Sequence, residues 1–234
     1  MKNKMIKLIA TDFDGTLVHF ENEPYNSSWD ALGSLLDEEK KQKWYNIRDY
    51  HISKLKNCSK QDNSKIYADW FDSQLSLLKG YTEDFFKEKI LPLKYSEGAK
   101  EFFSIAKKRG KIIGILSSGI DFIVEEAARE LEMDFCLSTL ICKEEEIFTG
   151  KGISIVNLEN KLEHLKKICK NYKVNIEEVC YFGDNFNCEP VLKVVGLGIA
   201  FNPKTEETAK SAKHIIYDFR EALPIIENYE LKRK

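Results

Sequence analysis

The stretch KLIATDFDGTLV at residues 7–18 constrains the fold more than any other part of the chain. It opens with a short apolar run of β-forming residues and ends on two acids, Asp12 and Asp14. A run of this kind predicts a strand that is buried on both faces, as in a parallel sheet covered by helices. Ligands of such sheets bind beyond the carboxyl ends of the strands, so the two acids are predicted to lie at a binding site.

The chain after residue 95 alternates between predicted helices and strands. The segments are, in order, the helix EGAKEFFSIAKKRG capped by Ser96, the strand KIIGIL, the helix IDFIVEEAARELEM, an irregular strand or hairpin FCLSTLICKEEEIFTGKG, the helix NLENKLEHLKKICKNY, the strand VCYF, the short helix EPVLKVV ending at Gly196, the strand LGIAF, the helix TEETAKSA and the strand HIIYD. Strands that alternate with helices imply right-handed crossovers. The predicted fold class is therefore α/β, with a Rossmann-like parallel sheet core covered by helices.

Residues 20–94 show a different pattern. Aromatic and charged residues recur at helical spacing through WDALGSLLDEEKKQKWYNIRDYHISKL and KIYADWFDSQLSLLKG, with the polar break NCSKQDNSK at 57–65 between them. The block has no strand pattern. We expect residues 20–94 to form a helical cap domain, inserted after the first strand above a core domain of residues 1–19 and 95–234.

Length, charge and cysteine content argue against several classes of function. The 234 residues suffice for one large α/β domain or for a core with a smaller insert. The formal net charge of −2 gives no reason to expect nucleic acid or an anionic membrane as partner. Apolar runs shorter than the ~18 residues of a membrane span, and the lack of a signal-peptide pattern, predict a cytoplasmic protein. The 6 cysteines form no C-x-x-C pair and no zinc-type group with the 4 histidines, and are expected to be mostly core residues in a reducing compartment.

Polar residues follow several predicted strands or begin the next helix. In chain order they are Asp12, Asp14, Ser117, Ser118, Lys161 and Asp184. Taken singly, each has an ordinary explanation as a turn residue, a helix cap or a solvated lysine. Taken together at one edge of a sheet, they can hold a hard cation and a phosphate.

These residues resemble the motifs of the haloacid dehalogenase-like phosphatases, and of their phosphoserine phosphatase-like branch in particular. The resemblance rests on DFDGT at 12–16, LSSG at 116–119, Lys161 in NKLEHLKK and YFGDN at 181–185. It covers the core almost from end to end, whereas the insert matches in position and helical character more than in residues. It implies a Mg²⁺-dependent phosphatase that hydrolyses a small phosphomonoester through an aspartyl-phosphate intermediate.

The resemblance also implies a role for each residue. Asp12 would be the nucleophile, and Asp14 the acid that protonates the leaving oxygen and then helps a water to attack. A dehalogenase needs no such acid, so Asp14 favours phosphate over halide as the group displaced. Lys161 would pair with both the nucleophile and the phosphate. The phosphate would bind Ser117, Ser118, Gly119, Lys161 and Asn187, and Mg²⁺ would bind Asp12, the backbone carbonyl of Asp14, and Asp184.

One residue of the metal motif departs from the family pattern. The pattern has Asn and then Asp after Gly-Asp, and this chain has Asn187, then Cys188, then Glu189. A thiolate is a poor ligand for Mg²⁺. Either Glu189, one position later, takes over the role of the missing acid in the outer shell of the metal, or metal affinity falls because that partner is missing. We favour the first alternative.

The cap departs from the phosphoserine phosphatases in a second way. Those enzymes hold the amino-acid end of the substrate with an acid and an arginine; Glu21 stands at the first position and Gln74 at the second. A neutral amide cannot replace the charge of an arginine. The cap offers aromatic residues, most of them helix-packing core and one or two able to face the ligand: Trp29, Trp44, Tyr45, Tyr50, Tyr67, Trp70 and Phe71. We therefore predict that L-phosphoserine is a poor substrate, and that a phosphomonoester with a less acidic, ring-containing leaving group is preferred.

Three alternatives to this function stay open. The chain could be a phosphoserine phosphatase proper, or a phosphomutase or phosphotransferase that passes the phosphoryl group to a bound acceptor in place of water. A non-catalytic phosphate-binding module is the third alternative, motivated only by Cys188. The intact Asp12, Asp14, Ser117 and Lys161 argue against it.

Overall fold

In the computed structural model, which describes residues 5–21, 26–57 and 60–231, one sheet of 7 strands runs through the molecule in the order β4-β3-β2-β1-β5-β6-β7. The strands are β1 (Leu8–Thr11), β2 (Ile112–Ile120), β3 (Phe135–Glu144), β4 (Ile147–Ile153), β5 (Val179–Gly183), β6 (Leu197–Phe201) and β7 (His214–Ile216). Neighbouring strands are parallel except for the antiparallel pair of β3 and β4. The predicted α/β fold with a mainly parallel sheet is confirmed.

Strand β1 lies at the centre of this sheet. Leu8 pairs with Ile112 of β2 on one side and with Val179 of β5 on the other. All four residues of β1 are buried, which an apolar strand covered on both faces requires. The carboxyl ends of β1, β2 and β5 therefore lie side by side.

Ten α-helices accompany the sheet in the described part of the chain. They are α1 (Ser28–Ser34), α2 (Glu38–Asn57), α3 (Lys60–Leu77), α4 (Glu83–Ile90), α5 (Ala99–Lys108), α6 (Asp121–Glu130), α7 (Lys161–Asn171), α8 (Glu189–Val194), α9 (Glu206–Ser211) and α10 (Ala222–Leu231). The described residues between 20 and 94 form the first four of them and no strand. The division into a core domain and a cap domain remains a prediction.

Helix α1 packs closely against α2 and against the sheet. A Cβ atom on Gly33 would lie 2.4 Å from the ring of Trp44, so only glycine allows this approach. Phe71 and Leu75 of α3 contact the backbone of β4, where a Cβ on Gly152 would lie 2.6 Å from Leu75. Each of the four helices contributes to one hydrophobic cluster that includes residues of the sheet, through Trp29, Trp44, Phe71 and Phe86. The helices are therefore packed onto the strands by apolar contacts.

The structure corrects several local predictions. Ser96 does not cap α5: Gly98 is its N-cap with φ 72°, and the Ser96 hydroxyl donates to the carbonyl of Thr16. The polar break predicted at 57–65 is shorter, because α2 reaches Asn57 and α3 begins at Lys60; residues 58–59 lie outside the described residues.

Three further findings concern the core. The segment FCLSTLICKEEEIFTGKG is the antiparallel hairpin of β3 and β4, one of the two forms predicted for it. LSSG lies inside β2, at a register irregularity between Leu116 and Ile120, and does not follow the strand as predicted. Helix α10 has no counterpart in the sequence prediction. Among the described residues, no helix has the length and apolar character that a membrane crossing needs.

Candidate active site

Asp12 and Asp184 meet where two neighbouring strands end. Asp12 follows β1 directly and its backbone N–H donates to the carbonyl of Phe182 in β5 over 2.9 Å. Asp184 is the first residue after β5. A carboxylate oxygen of each and the sulfur of Cys188 all lie within 4.8 Å of one another, and all three residues are buried. The two strand ends thus bring together acids far apart in the sequence.

The Asp12 carboxylate is held on both oxygens. Its Oδ2 lies 2.5 Å from Nζ of Lys161, and its Oδ1 accepts the N–H of Phe13 over 2.8 Å. Lys161 is the first residue of α7 and is 1% exposed. Burial disfavours its charge, but the acidic groups around it, Asp12 foremost, together raise the pKa of the ammonium. Lys161 therefore stays charged beside the predicted nucleophile.

Asp14 accepts two hydrogen bonds from Ser28, the first residue of α1. The Ser28 N–H donates to Oδ1 over 2.8 Å and its hydroxyl to Oδ2 over 2.9 Å. Desolvation raises the pKa of Asp14 to about 7; the Ser28 N–H opposes this shift, and the charge of Asp12 adds to it. At neutral pH a large fraction of Asp14 carries a proton that it can donate. Ser28 was not among the predicted site residues.

The carboxylate of Asp184 contacts two polar side chains. The hydroxyl of Thr16 donates to its Oδ1 over 3.2 Å, and Nζ of Lys204 lies 3.0 Å from its Oδ2. Burial raises the pKa of this carboxyl, and the charge of Lys204 opposes the increase. Lys204 was not predicted, although it follows β6 at the same edge of the sheet. Gly15 has φ 74°, and a Cβ there would lie 2.5 Å from Oδ2 of Asp184, so the backbone approaches this oxygen as closely as only glycine permits.

The LSSG segment lies beside Asp14. The hydroxyl of Ser117, 1% exposed, accepts the N–H of Gly119 over 3.0 Å. The carbonyl of Ser118 accepts Nε1–H of Trp29 over 3.0 Å, which ties helix α1 to the end of β2. A Cβ on Gly119 would lie 3.1 Å from Oδ2 of Asp14. The irregular end of β2 thus presents small polar groups next to the acid.

Cys188 occupies the place where the family motif has a second acid. Its thiol lies 3.0 Å from Oδ2 of Asp12, and its sulfur lies 3.5 Å from Nζ of Lys161. Burial, and then the charge of Asp12, raise the pKa of this thiol, which keeps it neutral at physiological pH. Asn187 is half-buried next to it, with Oδ1 3.6 Å from the sulfur. The substitution therefore removes a negative charge from the cluster and adds none.

Three predicted site residues do not reach the cluster. Glu189, at the start of α8, accepts from the hydroxyl of Thr208 over 3.2 Å and pairs with Lys193, and it is not part of the buried group of Asp12, Asp184 and Cys188. Its outer-shell role stays a prediction that these contacts do not support. Glu21 is largely exposed and forms an ion pair with Lys94.

The third of these residues is Gln74, which lies inside the cap. It is 1% exposed, and its Nε2 lies 3.5 Å from the backbone carbonyl of Trp44 in α2. A side chain directed from α3 toward α2 serves helix packing, and this placement does not support the substrate contact predicted for it.

Comparisons with known proteins agree with this geometry. Residues 6–196 match the family model described as haloacid dehalogenase-like hydrolase. A phosphoserine phosphatase of Lactococcus lactis subsp. lactis is 30% identical over 155 residues, which cover 66% of this chain and 71% of that protein. A phosphoserine phosphatase of Methanocaldococcus jannaschii is 29% identical over 202 residues, or 86% of this chain and 88% of that protein.

A solved structure also resembles this chain over nearly its whole length. It is described as a phospho-aspartyl intermediate analogue of phosphoserine phosphatase. It has a TM-score of 0.74 and 25% sequence identity, and the match covers 94% of this chain and 99% of that one.

Proposed function

We propose that this chain, which belongs to the haloacid dehalogenase-like hydrolase family and is a phosphatase, uses Asp12 as its nucleophile. Asp12 attacks a small phosphomonoester and carries its phosphoryl group as an aspartyl-phosphate. The family match bears out the resemblance predicted from the motifs. The observation that carries the proposal is a pair of neighbouring acids with different partners: a buried Asp12 paired with Lys161, and Asp14 two residues on, bound at both oxygens by Ser28.

The two acids divide the reaction into two displacements. A carboxylate oxygen of Asp12 bonds to phosphorus while the ester bond breaks, and Asp14 gives its proton to the departing oxygen. In the second displacement, a water gives a proton to Asp14 and attacks the phosphorus of the aspartyl-phosphate. The Asp12 carboxylate and inorganic phosphate are then released. Asp14 thus returns to the protonated state in which it started.

The surrounding groups would bind the phosphoryl oxygens. Lys161 is held beside Asp12 as a fixed positive charge, which stabilises the charge of the transferring group more strongly in a buried site than in water. The Ser117 hydroxyl accepts the N–H of Gly119 and keeps its own proton, which it can donate to the same group, and Gly119 leaves room beside Asp14. Ser118, whose carbonyl accepts from Trp29, and Asn187, which lies beside Cys188, are proposed as further phosphate contacts.

The donor set fits Mg²⁺. The carboxylates of Asp12 and Asp184 are hard oxygen ligands that converge within 4.8 Å, and the backbone at Gly15 approaches the second of them closely. Together with the backbone carbonyl of Asp14, these carboxylates would hold the ion. A bound Mg²⁺ would offset the negative charge of the phosphoryl oxygens. Cys188, a soft and neutral thiol here, does not fit as a ligand.

L-Phosphoserine is the second candidate substrate, because the curated relatives are phosphoserine phosphatases. Recognition of its carboxylate calls for an arginine, and Arg48 is the only arginine between residues 20 and 94. Arg48 is already bound to Asp30 and Asp49, each over 2.8 Å. With Glu21 turned outward as well, we favour a phosphomonoester without an amino-acid end.

The test is Mg²⁺-dependent release of phosphate from p-nitrophenyl phosphate by the purified protein. Wild type should release phosphate with Mg²⁺ and not with EDTA, and Asp12→Asn should abolish turnover. Beryllofluoride, which mimics the aspartyl-phosphate, should protect wild type against thermal unfolding and not protect Asp12→Asn. Undiminished phosphate release by Asp12→Asn would rule out the covalent route. Release of phosphate to water, and not to an added sugar acceptor, would separate a phosphatase from a phosphotransferase.

A further inference from the structure

We propose that Ser28 is a positioning residue for proton transfer, through which helix α1 orients Asp14 and stabilises the charge that it acquires when it protonates the leaving group. This inference rests on the proposed function. Ser28 is fully buried and donates to both oxygens of the Asp14 carboxyl, by its N–H to Oδ1 and by its hydroxyl to Oδ2.

The hydroxyl of Ser28 is itself oriented by the end of β2. Its Oγ lies 3.4 Å from the backbone N–H of Ile120, which can donate to it. An oxygen that accepts from Ile120 has its own proton left for Asp14. The Ser28 hydroxyl thus accepts from Ile120, 92 residues away in the sequence, and donates to Asp14.

The neighbouring residue anchors the same helix end. Nε1–H of Trp29 donates to the carbonyl of Ser118, and its ring packs on Phe71 and Trp44 at centroid distances of 5.7 Å and 6.2 Å. The end of β2 also lies close to Ser28 and Asp14, since a Cβ on Gly119 would lie 3.1 Å from both Oγ of Ser28 and Oδ2 of Asp14. Packing therefore fixes Ser28 against Asp14 with little freedom to move away.

This geometry makes a specific chemical prediction. As Asp14 passes its proton to the leaving oxygen, negative charge develops on its carboxyl group. Two donors already aimed at both oxygens stabilise that charge without reorganisation. The stabilisation of the transition state by Ser28 increases with the degree of proton transfer from Asp14. It should be large for an alkoxide leaving group and small for an acidic phenol, which departs with little help from an acid.

The experiment compares Ser28→Ala with wild type on β-glycerophosphate and on p-nitrophenyl phosphate, at saturating Mg²⁺. The quantity compared is kcat/KM, which covers only the steps up to departure of the leaving group. Ser28→Ala should lose about 10- to 100-fold on the alkyl ester and less than about 3-fold on the aryl ester, as expected for loss of a hydrogen bond to a developing charge. Ser34→Ala is the matched control, since Ser34 ends the same helix with its hydroxyl on the Ala31 carbonyl, and it should leave both values unchanged.

Two further variants keep the test decisive. Ser28→Cys retains the volume with a weaker donor and should show the same selectivity to a smaller extent. In an Asp14→Asn background, Ser28→Ala should cause no further loss on the alkyl ester. An equal loss on both esters in Ser28→Ala and Ser28→Cys, or no loss on either ester in these two variants, would overturn the positioning role. A further loss on the alkyl ester when Ser28→Ala is added to Asp14→Asn would overturn it as well. Wild type without Mg²⁺-dependent activity on either ester would instead overturn the proposed function, and the inference with it.

Discussion

Nζ of Lys161 lies 2.5 Å from Oδ2 of Asp12, although the two residues are 149 positions apart in the sequence, and both are almost fully buried. Removing one partner of such a pair leaves an uncompensated charge in a medium of low polarity. The pair therefore links the chemistry of the site to the stability of the fold.

Lys161→Met should lower the free energy of unfolding of the metal-free protein by about 3–5 kcal/mol, because Asp12 and Asp184 then face each other without the ammonium. The double variant Asp12→Asn/Lys161→Met should recover a large part of that loss. Urea unfolding measures both. Lys43→Met, which breaks the exposed pair with Glu39, is the control and should change stability by less than about 1 kcal/mol. A double variant as unstable as Lys161→Met alone would contradict the coupling.

The pH dependence of kcat/KM should report the state of Asp14. Desolvation raises the pKa of this carboxyl, so its acid form persists up to about pH 7 and is lost above that value. With an alkyl phosphate, kcat/KM should therefore fall about tenfold per pH unit on the alkaline side. The decrease should begin near pH 7, and at a lower pH when bound Mg²⁺ favours the charged form of Asp14. Asp14→Asn should cost about 10² to 10⁴ in kcat/KM and remove this limb. An unchanged alkaline limb in Asp14→Asn would assign the titration to another group.

The Mg²⁺ requirement should distinguish Asp184 from Glu189. Asp184→Ala removes a carboxylate of the buried cluster and should raise the Mg²⁺ concentration for half-maximal activity at least tenfold. Glu189→Gln should change that concentration by less than about twofold, since the side chain faces Thr208 and Lys193. Phosphate release measured across a Mg²⁺ titration gives both values. A large shift in Glu189→Gln would restore this glutamate to the metal site.

Among a panel of phosphomonoesters, L-phosphoserine should give one of the lower values of kcat/KM. The cap's single arginine is engaged by Asp30 and Asp49, and Gln74, at the position predicted for an arginine, packs against α2, so neither residue offers a free cation to the substrate carboxylate. We expect sugar or pyridoxine phosphates to give a higher kcat/KM than phosphoserine. The comparison should be repeated with phosphoethanolamine, which lacks only the carboxylate. If phosphoserine gives the highest kcat/KM of the panel, the predicted specificity is wrong.

The sheet and most of the site follow from local patterns in the sequence. Parallel strands covered on both faces are continuous apolar runs, so β1 and β5 could be found directly, and the carboxyl-end rule then placed Asp12 and Asp184 together. Lys204 obeys the same rule after β6. It was missed because a lysine after a strand is commonly a solvated residue.

The remaining differences depend on tertiary packing. Ser28 reaches Asp14 only because Trp29 docks α1 on β2, and no local pattern specifies that contact. Glu189 misses the cluster because one position along a helix rotates a side chain by about 100°. Helix α10 carries Pro224 in its first turn, which interrupts the helical pattern although a helix tolerates proline there.

The central position of β1 has a consequence for how the protein is made. During synthesis, the apolar strand Leu8–Thr11 emerges long before its neighbours β2 and β5, which begin at Ile112 and Val179. At about 5–20 residues per second, β5 follows β1 by roughly 10–30 s. Until β2 emerges, the nascent chain carries β1 as an apolar strand with no partner, and until Lys161 emerges Asp12 has no ammonium beside it. Chaperones that shield short apolar segments on the ribosome should therefore influence the yield of this protein more than they would influence a protein whose sheet pairs in chain order.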